Sequence, residues 1–209
     1  DALLCDWDVS SYYPSIILEQ QLAPAAMGKD FLELYQSIVT RRLEAKAKMT
    51  SIEEEINELE KEEIIAKIAE LKKQRKVCKT ESDTLKINLN GSFGKMGSKY
   101  SPLYAPALLL QTTVTGQLCL LMLIERMEAA GIRIMSANTD GIVCQCQGLY
   151  ERPMELVTWD WMLQTSYALE RTDYRLIASR DVNNYFAIKT NGKVKRKGCF
   201  KVGGLMKNV

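Results

Sequence analysis

The 209-residue chain is 46% hydrophobic and 26% charged with a formal net charge of only +2, the balance of a globular chain long enough to build a real core, as one domain or two small ones. It contains no histidine, which removes the usual general base and every Ser–His or Cys–His mechanism and leaves carboxylates, lysines or metal ions to carry any chemistry. Six cysteines without a CxxC pair argue against zinc and for free thiols in a reducing cytosol, no apolar run approaches the roughly 20 residues that span a bilayer, and nothing reads as a signal peptide.

The chain begins at Asp1, without methionine and within an apolar run, and reads as a piece of something larger. Ala2-Leu3-Leu4-Cys5 leads into Asp6 and Asp8, a strand that ends on a carboxylate and carries both acids on one face, because side chains repeat every second residue. Ser10-Ser11-Tyr12-Tyr13-Pro14-Ser15 follows and predicts a tight turn into a helix, with Pro14 in the first turn, where its missing N–H costs nothing. A carboxylate beside the free N–H groups of a helix start suits a metal ion and a polyphosphate.

From Phe31 to about Lys79 there is neither proline nor glycine, and the composition favours helix. Phe31, Leu34 and Ile38, extended by Leu43, are spaced for one apolar face, and Ile52, Ile56, Leu59, Ile64, Ile65, Ile68 and Leu71 continue it. Thr50-Ser51 followed by Glu53 to Glu55 predicts a helix cap, so the stretch reads as a long helical hairpin with an acid-rich, solvated tip. Arg42 and Lys46 stand one helical turn apart, and Lys86 recurs on the returning segment; such cations can clamp a triphosphate, Arg as a planar fork and Lys as a point charge. The glycines of Asn90-Gly91-Ser92-Phe93-Gly94-Lys95-Met96-Gly97-Ser98 are expected to end that helix, and the pattern is not that of a P-loop.

A helix from about Ala107 to Ala129 follows, apolar enough to demand burial. Ile132 to Ser136 and Ile142 to Cys146 alternate as strands around Asn138-Thr139-Asp140-Gly141, where Asp-Gly is a strong hairpin signal. Read locally, Asp140 is a turn residue. A helix from about Arg152 to Glu170 and strands at 175–179 and 185–190 complete an α+β body. The tail, with Lys189, Lys193, Lys195, Arg196, Lys197, Lys201 and Lys207 and no acid after Asp181, suggests a phosphate-rich partner or a solvated loop.

Three of these segments, in order, resemble the motifs of family B DNA polymerases. Asp8-Val9-Ser10-Ser11-Tyr12-Tyr13-Pro14-Ser15 is similar to the first, with Tyr12 for leucine. Lys86, Asn90, Phe93 and Gly94 match the second, with Gly91 for serine and Phe93 for tyrosine. Ser136-Ala137-Asn138-Thr139-Asp140-Gly141 resembles the third, with Asn138 in place of its first aspartate. Asn184-Tyr185-Phe186 and Lys195-Arg196-Lys197-Gly198 resemble the primer-contacting segments.

The resemblance implies a polymerase palm, an antiparallel sheet backed by helices, with a helical-hairpin fingers subdomain. Residues 1–30 and 93–190 would form the palm, 31–92 the fingers, and 191–209 the start of the connection to a thumb. It implies template-dependent transfer of a nucleotide from a dNTP to a primer 3′-hydroxyl with two Mg²⁺ ions. Asp8, Asp140 and the Val9 carbonyl would hold metal. Ser11, Tyr12, Tyr13, Arg42, Lys46, Lys86 and Asn90 would bind the dNTP, Tyr13 as a steric gate against a 2′-hydroxyl. Gly94, Tyr185, Lys195 and Lys197 would meet DNA. The implied partners are primer–template DNA, dNTP and the rest of a polymerase chain, with no membrane, in the cytoplasm of a bacterium or phage-infected cell. The alternative is a catalytically silent, polymerase-derived module that binds DNA.

Overall fold

The computed structural model describes residues 2–61 and 65–201; Ile64 and Lys207 of the sequence reading lie outside them. The chain divides into two compact units, Asp1–Tyr12 with Val114–Val209, and Tyr13–Thr113.

The first unit is built on a six-stranded sheet in the order β2-β3-β1-β4-β5-β6. Its strands are β1 (Ala2–Val9), β2 (Arg133–Ala137), β3 (Gly141–Gln147), β4 (Leu169–Asp181), β5 (Asn184–Lys189) and β6 (Val194–Lys197), and every neighbouring pair is antiparallel. The expected α+β class with an antiparallel sheet is observed. β1 lies between β3 and β4 and faces two ways. Cys5, Trp7 and Val9 are buried on one side, where Cys144 of β3, directly opposite Cys5, touches Met154 of helix α5 (Glu151–Thr165). Asp6 and Asp8 therefore point to the other side.

The helical layer on the Cys5 side is pinned by specific bonds. Trp161 of α5 donates to the carbonyl of Cys119 in helix α4 (Pro106–Ala129), and Arg171 of β4 reaches Glu151 at 2.6 Å, Glu155 at 3.1 Å and Asp173 at 2.7 Å. Only one stripe of α4 is inside: Leu120, Leu123 and Met127 are buried, while Leu110, Val114, Leu118 and Leu121 are exposed. The expected burial of this helix is thus only partly realised, because its apolar residues run round more than one face. By length and composition α4 is also long and apolar enough to cross a membrane, which the sequence reading denied for every segment.

Beyond the short helix α1 (Tyr12–Glu19), the second unit contains an antiparallel pair of long helices, α2 (Gly28–Lys61) and α3 (Ile65–Lys95). Ile56, Leu59, Ile68 and Leu71 form one end of its seam, with Ile52 beside them. Toward the other end Phe31, Tyr35, Val39, Ala45, Leu85 and Leu89 are buried, and Tyr35 donates to the Leu89 carbonyl at 3.3 Å. Leu34 and Leu43, expected inside, are 61% and 44% exposed; the seam follows Phe31, Tyr35 and Val39 instead. No cap forms at Thr50-Ser51. α2 runs through it, and Thr50 Oγ1 donates to the Lys46 carbonyl at 3.1 Å, the back-bonding that lets a threonine stay inside a helix. α3 ends at Lys95, inside the glycine-containing stretch as expected, with Gly91 and Gly94 in its last turns and a turn at 96–97 after it.

The strands at 133–137, 141–147 and 184–189 lie close to their expected positions. β4 begins at Leu169, earlier than expected, so α5 stops at Thr165. β6, in the stretch read as a basic tail, was not foreseen.

Candidate active site: an acidic cavity on the open face of the sheet

β1 ends at Val9, and the chain turns away through Ser10 and Ser11, whose φ of +51° is left-handed. The Ser10 N–H is held by the Ala168 carbonyl at 2.8 Å. On the other flank β3 starts at Gly141, directly opposite Asp8, and the Val9 N–H donates to the Asp140 carbonyl at 2.6 Å. Strand pairing therefore carries Asp140, 132 positions along the chain from Asp8, to the same end of the same ladder. Both line one open cavity of about 470 Å³, with Asp6, Asn138, Gly141, Tyr174, Tyr185, Lys195 and Lys197 among its walls.

Gly141 is not there for its backbone freedom, since its φ is not left-handed. It is there for space. A β-carbon at this position would overlap Asp8 Oδ1 and stand 2.7 Å from the Trp7 carbonyl oxygen and 3.1 Å from Asp8 Cα. The loop before it is closed by Asn138, whose backbone N–H donates to the Gly141 carbonyl at 2.8 Å and whose side-chain oxygen accepts from Thr139 N–H at 2.7 Å.

The cavity concentrates negative charge. Burial, and then the Asp6 carboxylate, push Asp8 up to about 6; Asp140 and Glu170 add to the rise, and Lys195 opposes it. Glu170 sits directly across from Asp8 on β4 and was missed from sequence, where nothing marked it as a neighbour. A folded state that raises the pKa of Asp8 binds its proton more tightly than the unfolded chain does. Ionising Asp8 therefore costs stability, a cost absent below about pH 4 and complete above about pH 6. Asp8→Asn is expected to raise the melting temperature of the metal-free protein at pH 7.5 and to have little effect near pH 4. Paired thermal melts check this, and a variant that melts lower at pH 7.5 refutes it.

Two carboxylates and a backbone carbonyl at Val9 are hard oxygen donors of the kind magnesium takes, and an excess of acid over base is what a cation neutralises. Among the described residues no three His, Cys, Asp or Glu side chains converge into a closed metal cage.

The remaining predicted residues fall as follows. Tyr12 is 4% exposed, donates to the Gly116 carbonyl at 2.6 Å and meets Tyr167 edge-on. Its side chain is core, as suits a position where the similar motif has leucine. In the second unit the Tyr13 ring stacks on Phe93, centroids 4.5 Å apart. Asn90 and Gly94 are exposed on the last turns of α3, and a β-carbon at Gly94 would meet nothing within 4 Å. Lys86 is exposed, whereas Arg42 and Lys46 are half-buried along α2. In the first unit Lys195 and Lys197 both stand 5.7 Å from the Tyr185 ring centroid. Lys195 is also bonded to Asp6 and Tyr174, a connection invisible in sequence, where Asp6 had registered only as a neighbour of Asp8 in the strand.

No family model matches the chain. It is 25% identical over 122 residues to DNA polymerase 1 of Saccharolobus solfataricus, an alignment that takes in 54% of this chain and 13% of that protein. In fold it is similar to the family B DNA polymerase of the hyperthermophilic archaeon Pyrobaculum calidifontis, with a TM-score of 0.59 and 15% identity over 95% of this chain and 27% of that one. The chain thus spans 13% of the curated relative and about a quarter of the structural one, and has the fold of a portion of a family B DNA polymerase. Both relatives are archaeal, so the phage-like or bacterial source suggested by sequence gains no support.

Proposed function

We propose that this chain is the palm and fingers portion of a DNA-directed DNA polymerase that adds a nucleotide from a dNTP to a primer 3′-hydroxyl. The observation that supports it most is the pairing of β1 with β3, which puts Asp8 and Asp140 on one cavity, in a chain whose fold is similar to part of a family B polymerase. Asp8, Asp140 and the Val9 carbonyl would hold two divalent ions. Such ions, when bound, lower the pKa of the attacking hydroxyl and offset charge on the phosphates.

The chain's own residues supply position and charge. Gly141 leaves room for the Asp8 carboxylate. The N–H groups of Ser11 and Tyr12, at the start of a helix, suit a phosphate oxygen. Arg42, Lys46 and Lys86 bring cations complementary to a triphosphate. Asn90 and Gly94 offer a slim edge on α3 for a base pair, and Tyr185 and Lys197 suit the primer backbone, read by charge and not by sequence.

Tyr13 is the sugar gate, and its stack on Phe93 holds the ring in one orientation. Tyr13→Ala is expected to reduce discrimination against ribonucleotides about 100-fold, a change of ~2.7 kcal/mol in relative transition-state binding. Steady-state competition between a dNTP and its rNTP reads it, and unchanged sugar selectivity removes the gate role.

Asn138 supports a second reading, a DNA-binding module without catalysis, because its side chain closes the loop in place of a third acid. Single-nucleotide incorporation by the intact polypeptide, with and without Mg²⁺, separates the two. The polymerase requires the ion and extends a primer; the module holds DNA equally well in both conditions and extends nothing.

A further inference from the structure

We infer that Asp6, Tyr174 and Lys195 form a tie across four strands that holds β5 and β6 over the acidic cavity, which makes Lys195 a positioning residue and not a phosphate ligand. The inference rests on the polymerase reading for its consequence, though not for its geometry.

Asp6 is on β1 and Lys195 on β6, three strand spacings apart in the order β1-β4-β5-β6. In a flat sheet that is about 14 Å between backbones, slightly more than a lysine reach of roughly 6 Å, an aspartate reach of roughly 3.5 Å and the contact between them add up to when laid end to end. Yet Lys195 Nζ lies 3.4 Å from Asp6 Oδ2 and 3.2 Å from the Tyr174 hydroxyl, and that hydroxyl donates to the same Asp6 oxygen at 3.0 Å. Side chains that stand up from a flat sheet would not meet at that separation, and β4 carries the means to bring them closer. Its register with β5 shifts between Tyr174 and Leu176 and again between Ser179 and Asp181, and bulges of this kind bend a strand and increase its twist.

Each member is committed to the others. Asp6 is 8% exposed, so its charge needs a partner inside the protein. One of its carboxylate oxygens accepts from both Tyr174 and Lys195. The ammonium also stands 5.9 Å from the Tyr174 ring and 5.7 Å from the Tyr185 ring, within cation–π range. Lys195 and Lys197 are two apart on β6 and share a face, and Lys197 stands over the same Tyr185 ring. Fixing Lys195 to Asp6 thus fixes the two groups offered to DNA. It also answers the charge of Asp6 from within, which sets this acid apart from Asp8 and Asp140.

The test compares Lys195→Met, Asp6→Asn and the double variant in the intact polypeptide. Three quantities are read: hydrogen–deuterium exchange across 184–197, affinity for a fluorescent primer–template duplex over a range of salt, and kcat against KM for single-nucleotide addition. A tie predicts that either single change speeds exchange in this segment and weakens duplex binding about tenfold, with the larger part of the kinetic loss in KM for primer–template. The double variant is then no worse than the singles, and the salt dependence keeps its slope. A phosphate ligand behaves differently: Lys195→Met lowers the salt slope by about one, while Asp6→Asn leaves exchange and binding as they were. That result overturns the inference. Failure of the unmutated protein to bind duplex overturns the polymerase reading instead, and the exchange data judge the tie independently of it.

Discussion

Asp8→Ala and Asp140→Ala are each expected to lower Mg²⁺-dependent incorporation by at least ~1,000-fold, beyond the 10–100-fold that follows loss of an outer partner of a metal ligand. The two variants should part company in stability. Asp8 is half-buried among like charges, so its removal relieves repulsion, and the fold should melt at the same temperature or higher at pH 7.5. Asp140 is exposed in the loop between β2 and β3, so truncating it should leave the melt within ~0.5 kcal/mol of wild type. Loss of chemistry with a kept or improved fold is the mark of a group held in place for a ligand. Single-turnover incorporation beside thermal melts checks both halves. Near-normal incorporation by either variant removes that residue from the proposed metal site.

How much of this could be read in advance depends on the range of the interaction concerned. The two faces of β1 were legible because alternation is local: Cys5, Trp7 and Val9 inside, Asp6 and Asp8 across from them. So was the strand pair around Asp140, flagged by Asn138-Thr139-Asp140-Gly141. The motif order then allowed a guess that Asp8 and Asp140 converge, and their shared cavity agrees with it. What stayed hidden was decided by partners far away. Ser and Thr at 50–51 look like a cap, yet the same hydroxyl can bond back within a helix, as Thr50 does to Lys46. Leu34 and Tyr35 are adjacent, and only the docking of α3 through Leu89 selects Tyr35 as the inner one. β6, Val194-Lys195-Arg196-Lys197, has a single apolar residue and looks like solvated tail. It is an edge strand, where lysines are at home, and it is held by Asp6 from the opposite end of the chain.

Gly141→Ala is expected to impair both the fold and the site, through one methyl group. The obstacles around the new carbon differ in kind. Asp8 Oδ1 is the end of a side chain and can swing away, but the Trp7 carbonyl oxygen at 2.7 Å and Asp8 Cα at 3.1 Å belong to the backbone of β1 and move only if the β1–β3 pairing opens. Overpacking of this sort costs about 1–3 kcal/mol. The displaced carboxylate costs more in rate, since misplacing a reacting group by about 1 Å can lower it roughly 100-fold. Gly94→Ala makes the contrast on stability. Its β-carbon would enter open space on a helix, where exchanging glycine for alanine stabilises by up to about 0.5–1 kcal/mol. Chemical denaturation should therefore place the two variants on opposite sides of wild type, and Gly141→Ala should lose metal-dependent incorporation with its KM for dNTP little changed. If Gly141→Ala is as stable and as active as wild type, then Asp8 does not stand against β3 as described, and the geometry on which the two-acid site depends is wrong.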